Sequence, residues 1–309
     1  MSVDAIVKLS PAFKDYLWGG TKLRDVYHKS CDFDIIAESW ELSAHPDGTS
    51  VIASGQFKGA SFAEYIEKIG QSALGTKYDA NREFPLLIKL IDAKQNLSVQ
   101  VHPDDAYAMA HENGYGKTEM WYVIDAEPGA GLYVGFNKNV SKEEVAKRIS
   151  DNTIVEILDF HLTKPGDVFF IPAGTVHAIG AGNLICEIQQ SSNSTYRLYD
   201  YDRRDKFGNP RELHLKKALD VLNYHKYEAV SFDGKVTCKY FDVSFLNVEG
   251  QHHILLTNDS FCSITCIKGK GNLTLGDVVP INAGETVFIP ANNDVLKVNG
   301  NVSLVIARI

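Results

Sequence analysis

Basic residues are scarce in this chain of 309 residues: 31 Lys and Arg stand against 39 Asp and Glu, a net charge of −8. That balance excludes the clustered cations a nucleic-acid backbone requires, although a few local ones suffice for a small phosphorylated molecule. Cysteine is also sparse. The five (Cys31, Cys186, Cys238, Cys262, Cys266) are odd in number and form no CxxC pair. A disulfide framework is therefore not expected, Cys262 and Cys266 are predicted as buried thiols on one strand face, and the cytoplasm is the expected compartment. Met1 to Ser10 has neither a basic leader nor an apolar core, so no signal peptide is expected there. Val168 to Cys186 lacks charged residues, but Pro172, Gly174, Gly180 and Gly182 break it into pieces. It reads as buried strands and turns, and no membrane span is expected.

Helical periodicity is sparse too. Ser61 to Leu74 places Phe62, Ile66 and Ile69 on one face behind Ser61 as N-cap. Asp104 to Glu112, Ser141 to Ser150 and Arg211 to Tyr224 are the other helix candidates. The rest is short apolar runs punctuated by Gly, Pro, Asn and Asp, the pattern of β-sandwiches and barrels. With 44% apolar and 23% charged residues, a packed and mainly β chain is expected.

One segment echoes another. Lys164 to His177 reads KPGDVFFIPAGTVH, and Ile281 to Val295 reads INAGETVFIPANNDV. In both, Gly is followed by an acidic residue, an apolar strand and Ile-Pro-Ala. A Gly-rich hairpin is expected before each, at Val123 to Val134 and at Ile267 to Leu275. The echo predicts two copies of one β module. The organisation expected is a metal-binding module over 1–210, a helical connector over 211–235, and a degenerate second module over 236–309. Val295 falls opposite His177, and the position matching Glu119 falls near Ser263, so ligand chemistry is expected only in the first copy.

In an extended strand, residues two apart share a side. Gln100 and His102 should thus face one cavity, and Lys117, Glu119 and Trp121 should share a face. His177 closes the Pro-Ala-Gly turn. Two His, one Glu and one amide oxygen form a candidate site for zinc or another borderline divalent metal. His45, in Ala44-His45-Pro46, lines the pocket or closes a turn; His111, His214, His225, His252 and His253 receive no role.

Gly166 to His177 resembles the second cupin motif. Gln100-Val101-His102-Pro103-Asp104 joins Lys117-x-Glu119, Pro172-Ala173-Gly174-x-x-His177 and Glu187-Ile188-Gln189-Gln190-Ser191-Ser192-Asn193-x-x-Tyr196-Arg197. Together they resemble the type I mannose-6-phosphate isomerases, in their short bacterial form. Tyr16-Leu17-Trp18-Gly19, Glu38-Ser39-Trp40 and Ala44-His45-Pro46 agree. The resemblance implies two cupin-type jelly-roll modules with a few short helices, and one zinc per chain held by Gln100, His102, Glu119 and His177. It also implies a catalytic Arg197, a functional Lys117, and a sugar phosphate as the small-molecule partner of a monomer or weak homodimer. The chain departs from the longer members in a reduced helical insertion between Glu119 and His177, and in Gly116 where a His often stands.

Aldose–ketose isomerisation moves a proton between C1 and C2 through an enediolate. A metal with an open position is expected as electrophile, and Arg197 as oxyanion partner rather than base, since its pKa stays above about 12. A nearby cation disfavours the charged form of Lys117, which makes it a proton carrier; the other reading is an ion pair with the substrate phosphate or Glu119. Two rival functions share the scaffold: a cupin dioxygenase with a two-His, one-Glu iron site, and a sugar-binding cupin without activity.

Overall fold

The computed structural model describes residues 4–79, 83–204, 207–230 and 232–309. Three antiparallel sheets form the framework. A six-stranded sheet runs Val168–Ile171, Glu119–Ala126, Asn183–Gln190, Leu86–Ala93, Glu38–Leu42, Ala12–Lys14 in spatial order. A five-stranded sheet runs Tyr196–Tyr199, Val99–Val101, His177–Ile179, Gly131–Phe136, Leu158–Leu162. The third, of eight strands, combines C-terminal residues with Val7–Ser10 and Val51–Ile52, so the chain's first strand pairs with Thr286–Ile289.

The first two sheets face each other across Ile91, Trp121, Val123 and Ile185 on one side and Leu132, Val134 and Ile179 on the other. The opposite face of the six-stranded sheet, through Leu86, Ile88, Leu90 and Ile188, packs against Val243, Phe288 and Val305 of the eight-stranded sheet. Both faces of the Leu86–Ala93 strand are therefore buried, which is why its apolar run is nearly unbroken. Cys262 and Cys266 share one apolar cluster inside the eight-stranded sheet, and all five cysteines are free thiols.

Three of the predicted helices form, each with a side-chain N-cap. Ser61 and Glu64 close a capping box on Phe62–Ile69. Asp104 caps Asp105–His111, and Ser141 caps Lys142–Ser150. The fourth is shorter than its apolar stripe predicts, Leu215–Val221. His214 stands at its start without capping it, because its backbone N–H donates to the Arg197 carbonyl and its Nδ1 accepts from the Arg197 amide. Arg211 is left outside the helix, beside the five-stranded sheet.

The echoed segments fold alike. Gly166 and Gly284 both take positive φ, +94° and +85°, at the same place in a tight turn. Asp167 accepts from the Lys164 amide, and Glu285 accepts from the Asn282 amide, so the acidic residue closes the turn in each copy. The expected hairpins differ. Glu119–Ala126 and Gly131–Phe136 join different sheets, so the 127–130 connection is a crossover between facing layers. Ile267 to Leu275 lies within one long strand that turns at Gly276.

Candidate metal centre and sugar-phosphate pocket

The site is assembled from one row of residues on each of two facing sheets. Residues opposite each other in antiparallel strands share a face. In the five-stranded sheet, His177 pairs with Gln100, and Gln100 pairs with Arg197 on its other side. In the six-stranded sheet, Trp121, Glu187, Lys89 and Trp40 pair in sequence across four strands, with Glu119 two residues from Trp121 on the same face. His102 follows the Val99–Val101 strand and Lys117 precedes the Glu119–Ala126 strand.

His102, Glu119 and His177 are buried with their ligand-capable atoms within 4.8 Å of one another. His177 Nε2 lies 3.3 Å from Glu119 Oε1, and His102 Nε2 lies 3.6 Å from Oε2. Zinc–ligand bonds of ~2.0–2.1 Å in a tetrahedron separate neighbouring ligand atoms by roughly 3.3–3.4 Å, so the spacing suits such an ion. Both imidazoles engage Nδ1 with a backbone carbonyl, Ser194 for His102 and Thr175 for His177, each at 2.8 Å. That contact makes Nδ1 the donor and leaves the Nε2 lone pairs pointing at the centre. Gln100 offers its amide to His177 Nε2 at 3.3 Å, through the nitrogen; a half-turn of the amide presents the oxygen instead.

The electrostatics fit a cation. The Glu119 carboxylate is fully buried, and Lys117 is its one close cationic partner among the described residues. Lys117 Nζ stands 2.6 Å from Oε2 in a buried ion pair. Burial and the Glu187 charge push the Glu119 carboxyl up against the pull of Lys117. Burial holds His177 neutral, its pKa pushed down to about 3, with the Lys117 charge adding to it. His102 is lowered for the same two reasons and by His177 itself. Neutral imidazoles are the state a divalent metal needs, and a bound cation would offset the cost of ionising the buried Glu119.

Beside the buried centre lies a cavity of about 280 Å3, whose lining includes its neighbours Gln100 and Lys117 together with Arg197. The structure thus brings all six predicted residues to one place. Lys117 is buried, 3.1 Å from His102 Nε2 and 3.9 Å from Glu187 Oε1. Arg197 donates from Nε to Ser98 Oγ at 3.3 Å and from Nη1 to the Glu212 carbonyl at 2.8 Å, not to Asp200 or Asp202. His45 closes a turn, its Nδ1 accepting from the Asp47 amide.

Sequence reasoning gave no role to Lys89, Glu38, Glu187 and Arg211. Lys89 lies 3.3 Å from Glu187 Oε1 and 3.6 Å from Glu38 Oε2, and packs 5.0 Å over the Trp40 ring. Burial disfavours its charge, but the two carboxylates outweigh burial and raise its pKa. Trp121 Nε1 and Trp40 Nε1 donate to Glu187 and Glu38 at 2.9 and 2.6 Å. The available signal was a single Lys in Leu-Leu-Ile-Lys-Leu-Ile and a single Glu in Leu-Ile-Cys-Glu-Ile, charges that a buried strand keeps only when they are paired.

The second copy has no such centre. Val295 is exposed, and the buried Ser263 bonds to the Val287 carbonyl, so neither stands where a ligand could act. Among the described residues, His102, Glu119 and His177 form the one cluster of three such ligands.

Comparison with known proteins shows the family to which the chain belongs. Residues 6–134 match the family model described as phosphomannose isomerase type I, catalytic domain, and residues 234–309 match mannose-6-phosphate isomerase, cupin domain. The mannose-6-phosphate isomerase ManA of Bacillus subtilis is 38% identical over 312 residues, covering 97% of either chain. The mannose-6-phosphate isomerase of Streptococcus mutans is 35% identical, covering 94% of this chain and 93% of its own. The crystal structure of the Bacillus subtilis mannose 6-phosphate isomerase superposes with a TM-score of 0.90 at 35% identity, covering 99% of this chain and 100% of that one.

Proposed function

The chain belongs to the type I mannose-6-phosphate isomerase family, and from that premise we propose that it interconverts mannose 6-phosphate and fructose 6-phosphate in the cavity above His102, Glu119 and His177. The observation that carries this reading is the buried carboxylate of Glu119, set between two oriented imidazoles beside a pocket lined with cations.

Gln100, His102, Glu119 and His177 would hold one zinc ion. When bound, it supplies a Lewis acid that polarises the oxygens on C1 and C2 of the sugar. Arg197, in the same row as Gln100, stabilises the negative charge that develops as the C2 proton leaves. Lys117, beside Glu119 on the opposite wall, carries that proton between C2 and C1. Its place at the buried end of the pocket favours this role over a clamp on the phosphate. Glu187 and Glu38 keep Lys89 charged and fixed, so the pocket is ordered before substrate enters.

The matching turns at Gly166 and Gly284 support two modules, over 1–210 and 236–309 with a connector at 211–235, of which only the first is catalytic. Five free thiols favour the cytoplasm, and no helix of the described residues is long and apolar enough to cross a membrane. The deciding experiment supplies zinc-loaded protein with mannose 6-phosphate in a coupled assay beside an oxygen electrode. Fructose 6-phosphate should form without oxygen uptake; oxygen consumption without isomerisation would establish the dioxygenase instead.

A further inference from the structure

Four cations, Lys89, Lys117, Arg197 and Arg211, line the cavity against two carboxylates, Glu38 and Glu187. The difference is +2, in a chain of net charge −8. The surplus is not spread evenly. Lys89 and Lys117 are buried among Glu38, Glu187 and Glu119, so the inner end is locally compensated. Arg197 and Arg211 stand at the other end, and neither cavity carboxylate reaches them.

Arg211 is held from behind. Its Nε donates to Asp200 Oδ2 at 2.7 Å, and its Nη2 donates to Asp200 Oδ1. Asp200 is buried and also binds Arg203, so one carboxylate serves two guanidiniums. Nη1 of Arg211 has no hydrogen-bond partner among the described residues, on a side chain 31% exposed. Two facts show that the two arginines sense each other. Both line one small cavity, and after burial the Arg211 charge is the largest influence lowering the Arg197 pKa. Tyr16 lines the same cavity and senses both Glu38 and Arg211; burial together with Glu38 raises its pKa, so its hydroxyl remains a donor. Adjacent guanidiniums, one with free N–H groups, and a neutral hydroxyl are the partners a phosphate dianion takes.

Position decides which end of the substrate lies there. Arg197 pairs across the sheet with Gln100, close to the metal centre, whereas Arg211 lies on the loop beyond it. We propose that Arg211, clamped by Asp200 and assisted by Tyr16, seats the phosphate of the substrate and sets the preference for phosphorylated sugars. The identity of the sugar rests on the isomerase reading above; the phosphate seat does not.

The test uses the full chain, zinc-loaded, with inorganic phosphate as probe in calorimetric titration and mannose 6-phosphate in steady-state assay. R211Q should weaken phosphate binding and raise KM by about 10–10²-fold, the range expected for losing hydrogen bonds to a charged group, with a much smaller fall in kcat. R211K should recover part of the loss, and D200N should fall between, because the guanidinium loses its orientation. A residue that only braced the loop would instead lower kcat or stability and leave phosphate affinity unchanged. Wild-type phosphate affinity and KM in R211Q would overturn the proposal. Phosphate binding that depends on Arg211 in a protein without isomerase activity would keep the seat and discard the isomerase reading. Should R211Q fail to fold, Y16F carries the test, since it leaves the Asp200 ion pairs in place. About 3–10-fold weaker phosphate binding is expected for loss of one such donor, and wild-type affinity would overturn it.

Discussion

Gln100 lies directly opposite Arg197 across paired strands, with His177 directly opposite on its other side. Neighbouring strands are ~4.8 Å apart, so a metal ligand and a guanidinium are placed side by side on one surface by sheet register alone. A shift of one residue in the Tyr196–Tyr199 strand would turn Arg197 to the other face.

Arg197→Ala should therefore leave the metal bound and reduce the chemical rate. Removing an oxyanion partner typically costs about 10²–10³ in kcat. Arg197→Lys should recover little, because an ammonium does not reproduce the planar fork. Steady-state kinetics paired with zinc analysis on the same preparations checks this; loss of zinc in Arg197→Ala would show that the residue braces Gln100 instead.

One zinc per chain is expected, since Val295 is exposed and Ser263 is engaged with the Val287 carbonyl. A chelator should abolish isomerisation and zinc should restore it. His102→Ala and His177→Ala should lose metal affinity, while His111→Ala, exposed on its helix, should not. Elemental analysis decides the count, and two tightly held ions per chain would refute the empty second module.

Lys117→Met tests the proton carrier. Glu119, His102 and His177 remain, so zinc should stay bound. Exchange of the substrate C2 hydrogen with deuterated solvent should stop rather than merely slow. Continued exchange at saturating substrate, with a raised KM, would assign Lys117 to substrate binding and leave the proton to another group.

Away from the site, Lys29 and Glu41 form a buried pair at 2.7 Å that ties the segment around Lys29 to the six-stranded sheet. Ser39 and Thr286 donate to the same carboxylate, and Lys29 also donates to the Gly284 carbonyl. Lys29→Met would strand a buried charge and should cost about 3–5 kcal/mol, whereas the double replacement Lys29→Met, Glu41→Leu should cost much less. Urea unfolding of both variants measures the difference, and equal costs would show that Glu41 is satisfied by its hydroxyl partners alone.

Sequence alone determined the β character, the Ser61 cap and the shared sides of Gln100 with His102 and of Lys117 with Glu119. Each rests on local rules: strand alternation, cap chemistry, and motifs whose members sit within a few residues of one another. Gln100 and His102 are two apart, as are Lys117 and Glu119, so each pair's shared side follows from the strand period. The doubled turn was legible for the same reason, because Gly and an acidic residue close it within four positions. Tertiary structure decided what depends on register and on loops. The pairing of Glu187 with Lys89 and of Trp40 with Lys89 joins residues from three strands, and no local pattern encodes which strand lies beside which. Arg211 shows the limit most clearly. Its sequence suggested the start of a helix, but His214 is drawn into hydrogen bonds with Arg197, and the helix begins only at Leu215. The preceding residues stay outside the helix, and a guanidinium that periodicity placed on a helix is turned toward Asp200 and the pocket.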